Sequence, residues 1–171
     1  MRSLLILLLL PALLLAGGRA AAAELDTAFA VVRYTDEAQL KTFNRKISTS
    51  LFGFGSSHGG PLSSATREQV NQLVGRVQEI LDMRPAKLHF TIELLDNPDQ
   101  VQRIYQKQYG RKVDFIAFYS PRTETIYVAI NKLRRTVIAH EMAHAVIDRY
   151  FDKAPPVKIH ELLAQYVEKQ L

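Results

Sequence analysis

The run Thr136-Val137-Ile138-Ala139-His140-Glu141-Met142-Ala143-His144 sets a His-Glu-x-x-His pattern inside a segment whose apolar spacing is helical. Residues four apart on a helix point the same way with Cβ atoms ~6 Å apart, so two imidazoles there can meet one zinc ion at ~2.0–2.1 Å without distorting the backbone. Glu141 falls about 100° round the helix from His140, close to such an ion but aimed at its open position. The pattern therefore demands a helix here, and the rest of the chain is read around it.

The N-terminus belongs to a different problem. Arg2 is followed by an apolar run from Leu4 to Leu15 and then by Ala16, Gly17, Gly18 and the run Ala20 to Ala23. This order is that of a secretory signal peptide over residues 1–23, with cleavage expected after Ala23. The run is interrupted by Pro11 and falls short of the ~20 residues that span a membrane, so no stable anchor is expected after cleavage. The 171 residues contain no cysteine, which excludes a lipidated N-terminal cysteine and disulfide staples alike. A chain of this size can bury enough surface to fold without them. Basic residues number 22 against 17 acidic, with no run longer than Arg134-Arg135, so no stripe for nucleic acid is expected. The expected location is the periplasm or the exterior.

Along the remainder, Thr27 to Thr35 reads as a strand and Asp36 to Ile47 as a short helix through Ala38, Leu40, Phe43 and Ile47. Leu51 to Ser64 carries a glycine-rich loop. A helix is predicted over roughly 66–83, ended by Pro85, and a half-buried strand over Leu88, Phe90 and Ile92, with His89 on its polar face. Asp96 to Tyr109 is a further helix closed by Gly110. Val113–Tyr119 and Thr125–Ile130 form an antiparallel hairpin about the turn 120–124. Asn131 caps a helix over about 132–150, and a last helix runs from near Pro156 to the C-terminus. The fold class is α+β, with the sheet early and a helix pair late. Residues 24–64 form an N-terminal strand, helix and loop, and 65–171 form the core.

A catalytic zinc needs a third protein ligand. Cysteine is absent, and where a metzincin would need a glycine and a further histidine this chain has Ile147 and Tyr150. Asp148 lies eight residues from His140, ~12 Å along the axis and out of reach of the same ion. The last helix carries His160-Glu161-Leu162-Leu163-Ala164-Gln165-Tyr166. With this segment following His-Glu-x-x-His on the next helix, the chain resembles the gluzincin metallopeptidases, and among them the small members called minigluzincins. The likeness covers roughly Val113 to Leu171, and Glu161-Leu162-Leu163-Ala164 carries it.

The resemblance implies a zincin-like fold and one Zn²⁺ per chain held by His140, His144 and Glu161. Peptide or protein substrates would be hydrolysed by a zinc-bound water that Glu141 activates as general base. It also implies an edge strand ahead of the metal helix that pairs with extended substrate, and Thr125–Ile130 occupies that place. The chain departs from the family at Gln165, where several gluzincins carry an acidic residue that orients a zinc histidine. Tyr166 is the expected donor to the tetrahedral oxyanion, with His160 and Tyr150 as the other residues near the pattern. His58 in the glycine-rich loop reads as a solvated side chain or a lid residue. Two other readings stay open: a zinc-binding module that serves a partner without catalysis, and a peptidase whose residues 24–64 cover the cleft until cut near 53–60.

Overall fold

Thr27 turns the chain where one continuous strand was expected. Its Oγ1 accepts from the N–H groups of Phe29 and Ala30, and its own N–H donates to the carbonyl of Ala30. The hydroxyl thus closes a tight turn that folds β1 (Ala23–Asp26) back on β2 (Ala30–Tyr34) as an antiparallel pair. The computed structural model describes residues 22–48 and 61–171. Residues 1–21, most of the segment read as a signal peptide, and residues 49–60, His58 included, lie outside the described residues.

After β2 come α1 (Glu37–Ile47), α2 (Leu62–Leu81), β3 (Phe90–Leu95), α3 (Pro98–Tyr109), β4 (Ala117–Ser120), β5 (Thr125–Ala129), α4 (Arg135–Tyr150) and α5 (Val157–Lys169). The fold is α+β, as expected, around a five-stranded sheet of order β1-β2-β3-β5-β4. β2, β3 and β5 run parallel, and each outer strand is antiparallel to its neighbour. Residues 23–48 share one core with the rest: Leu25, Val32, Leu40, Phe43 and Ile47 are buried together with residues of α2, α4 and α5. That layer covers one face of the sheet. α3 covers the other, where Val101 packs on Phe118 and Ala129.

Local chemistry explains most boundaries. Asp36 caps α1 through its bond from Gln39 N–H, and Asn97 caps α3 in the same way ahead of Pro98. Gly110 ends α3 at φ +72°, a conformation that favours glycine. Four expectations are corrected. α2 begins at Leu62, inside the segment read as loop. Residues 113–116 are not strand, and β4 is confined to Ala117–Ser120. Asn131 does not cap α4, because a turn closed by Lys132 N–H to Ala129 O and Leu133 N–H to Ile130 O intervenes and buries Ile130 and Leu133; Arg134 is the cap.

The fourth correction bears on the site. Thr125–Ile130 is not an edge, because β5 lies between β3 and β4 with Ile126 and Val128 facing one layer and Tyr127 and Ala129 the other. A strand apolar on both faces belongs inside a sheet. The edge beside α4 is β4.

Candidate metal centre

α4 is buried on nearly every side, with Ile138, Ala139, Met142, Ala143, Ala145, Val146 and Ile147 in the core. The stripe left open carries His140, His144 and Asp148 at four-residue spacing, and α5 crosses it. Ala164 is fully buried at the crossing, and its small side chain lets the two helices approach closely. The Nε2 atoms of His140 and His144 stand 3.2 Å apart. Glu161 Oε2 is 3.6 Å from His140 Nε2, and Glu161 Oε1 is 3.5 Å from His144 Nε2. An ion about 2.0–2.1 Å from each donor sets tetrahedral edges of about 3.3–3.4 Å, so these three residues are spaced to hold a metal ion.

Each histidine has a partner behind it. His144 Nδ1 is 2.9 Å from His160 Nδ1, and the two rings stack. Burial, with His140 and His160 adding to it, holds the His144 pKa down to about 3, so its ring is neutral at pH 7, the form that binds metals. Burial also lowers the pKa of His160. Were His144 Nε2 to ligate a metal, its Nδ1–H would be the donor to His160 Nδ1, and a neutral His160 would then carry its proton on Nε2. His140 Nδ1 is buried with no hydrogen-bond partner, and Glu168 Oε2 stands 3.5 Å away, within ion-pair range. Gln165, the residue expected to face an imidazole, is exposed and has no such contact.

Glu141 projects from the neighbouring stripe toward the sheet edge. Its Oε2 accepts the Tyr119 N–H at 2.8 Å. Burial pushes its pKa up to about 8 against the opposing pull of that bond, with Glu161 and Glu168 raising it further. The Tyr119 hydroxyl donates to Asp148 Oδ2 at 3.0 Å and is itself held protonated by burial and by that carboxylate. These groups line a cleft of about 700 Å³ bounded by β4 on one side and residues 154–161 on the other.

Of the residues singled out in the sequence, His140, Glu141, His144, His160 and Glu161 are brought together here. Tyr166 is not: it is 50% exposed and does not line the cleft. Five residues on from Glu161 is about 140° round the helix, which turns Tyr166 away, whereas Glu168, seven residues on, returns to the same side. Tyr150 is also exposed, set edge-on to Phe151, and His89 is on the surface. Asp148 is outside the metal group, as expected, but serves Tyr119. Glu168 carried a helical signal in its seven-residue spacing. Tyr119 carried none, since its place depends on strand pairing. No known family model, curated protein or solved structure matches the chain.

Proposed function

We propose that the chain is an exported zinc-dependent peptidase of the gluzincin type, with His140, His144 and Glu161 as the metal ligands and Glu141 as the proton carrier. One observation carries this reading: two imidazole nitrogens and a carboxylate at 3.2–3.6 Å beside a carboxylate that is no part of the trio, facing an open cleft. Two nitrogens and one carboxylate suit Zn²⁺ better than Ca²⁺ or Mg²⁺, which take oxygen ligands. Bound zinc supplies Lewis acidity and lowers the pKa of a coordinated water toward ~7.

The chain's own residues do the rest. Glu141 takes a proton from the attacking water and returns it to the leaving amine, and a raised carboxyl pKa fits both halves of that task. Its bond from Tyr119 leaves Oε1 free while fixing the side chain. With a divalent cation held by His140, His144 and Glu161, that pKa would come down from its metal-free value toward neutrality, leaving Glu141 able both to take and to return a proton. The outer edge of β4 offers the backbone groups of Ala117 and the carbonyl of Tyr119 to an extended peptide, the Tyr119 N–H being held by Glu141. His160, neutral and carrying its proton on Nε2, replaces Tyr166 as the donor to the developing oxyanion. The described part of the N-terminal segment favours an open cleft over a covered one, because β1 and β2 lie at the far end of the sheet from β4 and none of residues 23–48 lines the cleft.

Elemental analysis of protein purified without added metal should return close to one zinc per chain. A mixture of quenched peptides should be cut by the wild type and at least ~10²-fold more slowly by Glu141→Gln, with zinc content unchanged. Less than about 0.2 equivalents of zinc after reconstitution, or turnover within about threefold of wild type in Glu141→Gln, would sink the reading.

A further inference from the structure

One wall of the cleft plays no part in holding a metal or moving a proton. On the α3 side of β4, Tyr105 meets Phe115 edge-on at 5.1 Å and Phe118 edge-on at 5.0 Å. Phe118 is buried over Val101 and Ala129, so the base of this wall is core. Phe115 is different: it stands just ahead of β4, is held against Tyr105, and leaves 41% of its surface exposed. It lines the same cleft as His140, Glu141 and Glu161.

The two sides of the cleft differ in chemistry. Every titratable metal-facing or proton-carrying group lies on the side of α4 and α5, while Tyr105, Phe115, Ala117, Phe118 and Pro121 offer no charge. Side chains of an added strand alternate between the two faces of a sheet. A peptide paired with β4 therefore sends one set of side chains toward α4 and α5 and the other toward the face that Phe118 occupies. There a charged group loses water and gains no charged partner from Tyr105, Phe115 or Phe118, whereas an apolar one covers an exposed ring already fixed in place.

We propose that Tyr105, Phe115 and Phe118 form a specificity subsite for a large apolar side chain, Phe, Tyr, Leu or Met, of an extended peptide. The assignment rests on the peptidase reading for the peptide's fate, and on the cleft alone for its binding. Phe115 supplies the exposed surface, Tyr105 holds it, and Phe118 forms the floor.

The test measures binding without turnover. Full-length Glu141→Gln, loaded with zinc, is titrated by fluorescence anisotropy with labelled ten-residue peptides of alanine and serine that carry one Phe, Leu, Asp or Lys at each position in turn. One register should give a Phe or Leu peptide at least ~10-fold tighter than its Asp, Lys or unsubstituted counterparts. Adding Phe115→Ala should bring that gap within about threefold, while Phe115→Leu should retain most of it. No preference in any register, or a preference that survives Phe115→Ala at an unchanged melting temperature, would overturn the subsite. A wild type that leaves the bound Phe peptide uncut, with the Phe115 dependence intact, would count against the peptidase reading while supporting the subsite.

Discussion

α4 and α5 each bring ligands to one centre, yet they are held by different means. α4 is embedded in the core, with seven of its residues between Ile138 and Ile147 buried and apolar. α5 buries only Ala164 and Val167 and leaves Val157, Ile159, Leu162 and Tyr166 in the open. Two histidines are therefore placed by hydrophobic packing whether or not a metal is present, while Glu161 rides on a helix docked through a narrower apolar seam of Ala164 and Val167 with Leu163 beside them. A cation shared between the two helices adds its binding free energy to that docking. The difference teaches that an ion held by these three residues would meet two ligands on a preformed scaffold and a third on a helix whose docking it would strengthen.

Four measurements break or sharpen that contrast. Ile147→Ala, a fully buried position on α4, should cost about 2–5 kcal/mol of stability with chelator and without. The matching truncation on α5, Leu162→Ala, should stay within about 0.5 kcal/mol. A cost at Ile147 that appears only when zinc is bound would mean that the core does not fix α4. Next in size, Glu161→Ala should weaken zinc binding by well over ~10²-fold and should abolish most of the thermal shift that zinc gives the wild type, whereas Asp148→Ala keeps it. A zinc shift that persists in the first variant and vanishes in the second would put the third ligand on α4.

Glu168→Gln should lower zinc affinity by ~10–100-fold in a chelator competition, and Gln165→Glu should not raise it comparably. Equal affinity for wild type and Glu168→Gln would show that the buried His140 Nδ1 needs no carboxylate. The smallest effect is in the pH dependence of the metal-free protein. His144 has a pKa depressed to about 3 in the folded chain against 6.5 when unfolded, so its contribution to stability is present above 6.5 and lost as the pH falls toward 3. Glu141 has the opposite sign. Its pKa is raised to about 8 from 4.5, so its contribution is present below 4.5 and lost as the pH rises through 8. Stability with chelator should therefore fall on both sides of roughly pH 4.5–6.5, by up to about 1.4 kcal/mol per unit for one proton. Glu141→Gln should flatten the alkaline limb, and melting temperatures from pH 3 to 9 would reveal a limb that stays.

How much of this the sequence disclosed depends on how far apart the partners are. The two histidines and Glu141 were legible because a helix converts four-residue spacing into one face. α1 was legible from the spacing of Ala38, Leu40, Phe43 and Ile47, and the end of α3 from Gly110, for the same local reason. β1 was hidden: Ala23-Glu24-Leu25-Asp26 has one large apolar side chain, and it abuts the small residues Ala20, Ala21 and Ala22. The mistaken edge had another origin. β4 and β5 were both readable, but which of them borders the cleft depends on β5 pairing with β3, a strand some thirty residues earlier. Tyr119 and the aromatic wall depend on that pairing too, so neither could be assigned to the cleft before the sheet order was known.

The bond from Tyr119 N–H to Glu141 bears on the protein's solubility. A sheet edge with free amides can recruit the same edge of another molecule, and such recruitment is how many β-proteins begin to aggregate. β4 is only four residues long, and one of its outward amides is already taken by a carboxylate from α4. The carboxyl group that occupies this edge also makes it a poor template for a second copy of the chain, so losing that side chain altogether should leave the protein more prone to self-association than exchanging it for an amide, which can still accept the Tyr119 N–H.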